Sequence, residues 1–183
     1  MRPGLKMKAV AAVAVFFGVA GAVTSAAAEV VAVDAAGFQI RNTVEVAAPP
    51  AKVWRALLEP GDWWHPEHSW SGDARNLSLE ARAGGCFCER WSGGEAMHML
   101  VTFVRPDQEL RLWGALGPLS LEGAVGGMAV KLEPTTPGAT RVTLTYTVGG
   151  RLSGGAARWA PLVDGVLRAQ LERLGRYAET GAS

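Results

Sequence analysis

The strongest constraint on how this chain can fold lies near its C-terminus. From about Ala157 to Ala178, apolar residues recur at helical spacing: Trp159, Leu162, Val163, Val166, Leu167, Leu171, Leu174 and Tyr177. A helix of that extent is about 33 Å long, at roughly 1.5 Å per residue. Its apolar stripe must be covered by a surface of similar length, which one short helix cannot supply. Pro161 is expected in the first turn, where a missing amide donor is tolerated. Gly165 marks either close packing on that surface or room left for a ligand above the helix.

The covering surface is legible upstream as a series of strands. Gly37 to Val46 places Phe38, Ile40, Val44 and Val46 on one face. Ala47-Ala48-Pro49-Pro50 stops that strand, and proline tolerance in a first helical turn lets Pro50 to Leu58 start a helix with Val53, Trp54, Leu57 and Leu58 inward. Glu59-Pro60-Gly61 ends it, because the residue before a proline leaves the helical region. Asp62 to Trp70 reads as a short helix or turn, and strands follow at Asn76–Ala81, Cys86–Trp91, Ala96–Val104, Glu109–Trp113, Val125–Glu133 and Thr140–Val148. The last alternates cleanly, with Val142, Leu144, Tyr146 and Val148 inward.

A strand, then Ala48-Pro49-Pro50 with Val53-Trp54 and Leu57, an acidic-Trp loop at Asp62-Trp63-Trp64, and Gly84-Gly85 opening a new strand resembles the START-like (SRPBCC) superfamily, in particular its polyketide cyclase and Hsp90-activator-like branch. The resemblance covers roughly Phe38 to Thr180. It implies an α+β helix-grip fold, a curved antiparallel sheet around the C-terminal helix with an apolar cavity between them. These are scaffold motifs, so they carry fold more than function.

Arg2, Lys6 and Lys8 precede an apolar run from Ala9 to Val23 and small residues at Thr24 to Ala28, the pattern of a signal peptide cut after Ala28. The run falls short of the roughly 20 apolar residues of a membrane span. The expected organisation is a signal peptide over 1–28, a flexible mature N-terminus over 29–36 and a single domain over 37–180, periplasmic or secreted, with no stable membrane span once the signal is removed. Export sets the protein apart from a cytosolic ATPase, which disfavours an Hsp90-activator role. The net charge is +1, three basic residues belong to the signal, and no basic cluster occurs, which argues against a nucleic-acid partner. Seven tryptophans against two tyrosines point to core and pocket walls.

Both cysteines and one of the three histidines lie in a single hairpin. Cys86 and Cys88, two apart on a strand, project from one face with Cα atoms about 6.6 Å apart, too far for an easy disulfide unless a bulge intervenes. They are then buried along the cavity, bound to a metal, or paired between molecules or across a bulge. With Gly93-Gly94 as a two-residue turn, Glu89 faces His98, and Cys86, Cys88, Met97 and Met99 share the other face. A one-residue slip would set His98 beside Cys88. Sulfur ligands would suit Cu(I), and two thiolates with an imidazole would suit zinc, but a lone C-x-C lacks a second spaced pair, and no cofactor is expected.

The leading expectation is an exported domain binding a small apolar molecule between sheet and helix. Trp54, Trp64, Met97, Met99, Trp113, Met128, Tyr146, Leu162 and Val166 are its expected walls. The alternatives are a cyclase-like enzyme with His65, His98 or Glu89 in acid–base roles, and a metal or thiol protein using Cys86 and Cys88. His65 and His68 can meet on one turn, and Asp62, Asp164 and Tyr146 are further polar candidates. The sequence does not specify an oligomeric state.

Overall fold

A computed structural model describes residues 27–182. Within them, strands β1 (Ala27–Val33), β2 (Gly37–Val46), β3 (Leu77–Leu79), β4 (Cys86–Trp91), β5 (Gly94–Arg105), β6 (Glu109–Gly114), β7 (Ala124–Thr136) and β8 (Ala139–Gly150) form one antiparallel sheet ordered β1-β2-β8-β7-β6-β5-β4-β3. Helices α1 (Pro50–Leu57) and α2 (Pro60–Trp63) follow β2, and α3 (Ala156–Thr180) closes the chain. The sheet holds α3, which packs mainly on β2 and more lightly on β1 and α1. This is the expected α+β helix-grip arrangement. No helix among the described residues is long and apolar enough to cross a membrane.

Alternation dictates the core. Val142, Leu144, Tyr146 and Val148 of β8 are buried beside Phe38 and Ile40 of β2, while Leu167, Leu171, Leu174 and Ala178 supply the α3 side. Close approach of α3 to the sheet falls at Gly175 rather than Gly165: a Cβ on Gly175 would meet Val46 at 3.5 Å and Val44 at 3.6 Å, whereas one on Gly165 would meet nothing within 4 Å. Pro161 lies in the second turn of α3, not the first, because the helix starts at Ala156. Lacking an amide hydrogen, it leaves the carbonyl of Ala157 without its helical donor.

The signal peptide expected over 1–28 lies outside the described residues, except that Ala27 and Ala28 begin β1. The 29–36 segment, expected to be flexible, instead forms most of β1 and the turn into β2. Val30, Val31 and Val33 favour a strand, but the unbroken apolar run from Val30 to Val33 hid any alternation. Asp34 then fixes the turn by accepting from the amides of Ala36 at 2.8 Å and Gly37 at 3.2 Å.

Candidate functional site

The β4–β5 hairpin turns on Ser92-Gly93, not Gly93-Gly94: Trp91 pairs with Gly94, Glu89 with Ala96 and Cys88 with Met97. The ladder then skips one residue, pairing Phe87 with Met99. His98 is the extra residue of this β-bulge. Ala96 and His98 face inward in phase with the turn, and Met99 and Val101 face inward in phase with the rest of the sheet, so His98 and Met99 are both buried while Met97 is 62 % exposed.

The cysteines lie in β4, opposite this bulge. Cys86 and Cys88 form a disulfide with Cα atoms 5.5 Å apart, closer than a regular strand allows. Of the alternatives the sequence left open, this is the intramolecular disulfide across a bulge; it sets aside two free thiols lining the cavity and removes both cysteines as candidate metal ligands. They alternate with Phe87 and Glu89, and it is those two side chains that reach the interior. Among the described residues no cluster of three or more His, Cys, Asp or Glu side chains is placed to hold a metal.

Glu89 is fully buried and accepts three hydrogen bonds, from the amides of Trp70 (3.0 Å) and Ser71 (2.6 Å) and from His98 Nε2 (3.1 Å). Burial is the largest influence on its carboxyl and acts upward, but the bonds from Ser71, Trp70 and His98 outweigh it and hold the pKa below the ordinary 4.5. Glu89 is therefore a carboxylate, and His98 Nε2 must carry the hydrogen between them. Burial lowers the His98 pKa from 6.5 against the upward pull of Glu89, so the imidazole is neutral and Nδ1 is an acceptor. Nδ1 has no protein partner among the described residues, and it is not sealed from solvent, unlike the unpartnered side-chain atoms of Asn42, Asp164 and Gln170.

His98 opens onto a cavity of about 350 Å³ between residues 64–70, the loop after β6 and the first half of α3. Trp64, Trp70, Leu119, Trp159, Leu162 and Val166 are among its walls. Each wall is anchored. Trp64 Nε1 donates to the His68 carbonyl at 2.9 Å, the His65 amide donates to Gln170 Oε1 at 2.8 Å, and Trp159 Nε1 donates to the Ser153 carbonyl at 3.0 Å. The Tyr146 hydroxyl accepts from the Leu116 amide at 3.1 Å and donates to the Gly114 carbonyl at 3.0 Å, fixing the loop after β6. Burial pushes the Tyr146 pKa up to about 12, against a smaller downward effect of the Leu116 amide, so it keeps the hydrogen it donates. A second cavity, between sheet and helix, is much smaller, about 50 Å³, and is lined by side chains such as Met99, Met128 and Leu171.

The expected walls therefore divide. Trp64, Leu162 and Val166 border the larger cavity, and Met99 and Met128 border the small inner one. Trp54 and Tyr146 are core residues lining neither, and Met97 and Trp113, 53 % exposed, stand on the outer side of the sheet. Of the histidines, His98 and His68 border the cavity and His65 does not, although its ring lies 5.7 Å from that of His68. Asp62 is exposed and accepts from the Tyr177 hydroxyl at 2.9 Å. Sequence reasoning missed the wall formed by Leu116 to Leu119, whose only signal was the Gly117-Pro118 turn.

An antiparallel sheet holding one long helix, with a cavity at the leading end of that helix, defines a helix-grip domain of the START-like class. The chain belongs to the polyketide cyclase / dehydrase and lipid transport family, whose sequence pattern matches residues 37–179. Among solved structures it is similar to protein Mll3558 from Rhizobium loti (20 % identity, 84 % of this chain and 99 % of that one, TM-score 0.54). It is also similar to CV1439 from Chromobacterium violaceum (20 %, 77 % and 96 %, TM-score 0.52) and MLL2253 from Mesorhizobium loti (22 %, 74 % and 94 %, TM-score 0.51). At such identities these likenesses establish the fold alone. No curated protein matches the chain.

Proposed function

We propose that this is an exported domain that binds a small, largely apolar molecule between the 64–70 segment, the loop after β6 and the first half of α3. The observation that carries this is the cavity of about 350 Å³, within the range of small-molecule sites. Its Trp64 and Trp159 rings present apolar surface while their N–H groups are already engaged. Export is supported by the basic–apolar–small pattern of residues 1–28 and by the Cys86–Cys88 disulfide, which suits an oxidising compartment. Titration with the neutral fluorophore N-phenyl-1-naphthylamine is the test. Saturable binding is expected, weakened at least about tenfold in Val166→Phe, where the larger side chain fills the cavity. Binding that Val166→Phe leaves unchanged would place the probe elsewhere and defeat the proposal.

The Glu89–His98 pair favours a second reading, an enzyme in which Glu89 orients His98 as a general base. A lowered pKa makes His98 a weak base, so binding ranks first. Under the enzyme reading, His98→Gln lowers kcat on a cyclisable substrate far more than it raises KM; equal effects would leave only binding.

A further inference from the structure

We infer that the cavity takes a neutral ligand bearing an O–H or N–H donor, and that His98 Nδ1 accepts it; this rests on the binding role proposed above. Three observations converge. Glu89, held by the amides of Trp70 and Ser71, fixes a hydrogen of His98 on Nε2, and in the neutral ring that burial favours the other nitrogen is an acceptor. His98 is 7 % exposed, and the tilted Phe87 ring, 5.0 Å away between ring centres, packs against it. No lysine or arginine is among the residues lining the cavity, and Glu67 is.

These features select among ligands of equal size. A hydroxyl or amine placed at Nδ1 replaces the contact with water that a ligand filling the cavity takes away. An ether of the same shape offers only lone pairs and leaves that acceptor unpaired. A carboxylate would bring an anion into an apolar cavity that holds no lysine or arginine to pair with it.

Calorimetric titration of the full chain with 2-naphthol, 2-methoxynaphthalene and 2-naphthoate separates the possibilities. The naphthol is expected to bind about tenfold more tightly than its methyl ether, the worth of one well-placed hydrogen bond, and the naphthoate more weakly than either. In His98→Met, the naphthol should lose its advantage while the ether keeps its affinity within about threefold. A measurement that needs no variant is the ¹⁵N resonance of His98 Nδ1, which should shift on adding the naphthol and not the ether. Equal affinity for naphthol and ether would overturn the inference and leave the binding role standing, as would naphthoate binding as tightly as naphthol. Failure of all three to bind, together with N-phenyl-1-naphthylamine, would overturn both.

Discussion

At the residue scale, the buried pair Glu89–His98 ties stability to pH. The unfolded chain protonates this histidine near 6.5, whereas in the folded state burial lowers its pKa, so the unfolded state takes up the proton first and stability falls as pH drops below about 6.5. The Glu89 contribution is complete above its ordinary 4.5 and is lost as pH falls through its lower folded value. Urea denaturation across pH 3 to 8 should therefore show loss in two stages, and His98→Met should remove the upper one; an identical pH profile in that variant would contradict the assignment. Tyr146 acts at the same scale. Tyr146→Phe strands the Leu116 amide and the Gly114 carbonyl, and a loss of about 1–3 kcal/mol is expected in the same assay. The Gly126 position allows this tyrosine, since a Cβ there would lie 2.6 Å from its ring.

At the element scale, α3 carries two helix-weakening residues beside the cavity. The open space around a Cβ at position 165 means that Gly165→Ala should raise stability by up to about 1 kcal/mol, read as a shift in the urea midpoint. The β4–β5 hairpin carries the opposite kind of device, a covalent ring closed over three residues. So short a ring constrains the unfolded chain little, roughly 1.6 kcal/mol in the loop-entropy picture. Reduction should thus lower the thermal midpoint only modestly while altering the fluorescence of Trp64, which packs 5.4 Å from Phe87 in that ring; unchanged fluorescence would show that the bulge persists without the disulfide. Strands β2 to β8 and both main helices were legible because alternation and helical spacing report burial directly, whereas β1 was not. The bulge was not, because an extra residue leaves no trace in either period. Glu89 and His98 were expected on one face, but through a turn the chain does not use.

At the scale of the whole molecule, packing is uneven. The space between sheet and helix is nearly filled, and the open volume lies at one end, where loops complete the wall. Sequence reasoning placed the cavity along the sheet because strand residues have a readable period, whereas the loop after β6 has none. Hydrogen exchange should follow the same gradient, with the edge strands β1 and β3 opening first and the interior strands β7 and β8 last.

The bulge at His98 also has an evolutionary consequence. The imidazole reaches the interior because one residue is surplus to the ladder, so a single-codon deletion in β5 could return Met99 or His98 to the outer surface without altering any side chain at the site. Relatives that share the scaffold can thus gain or lose this polar anchor through an insertion or a deletion. Aligning them by residue type alone would miss the change.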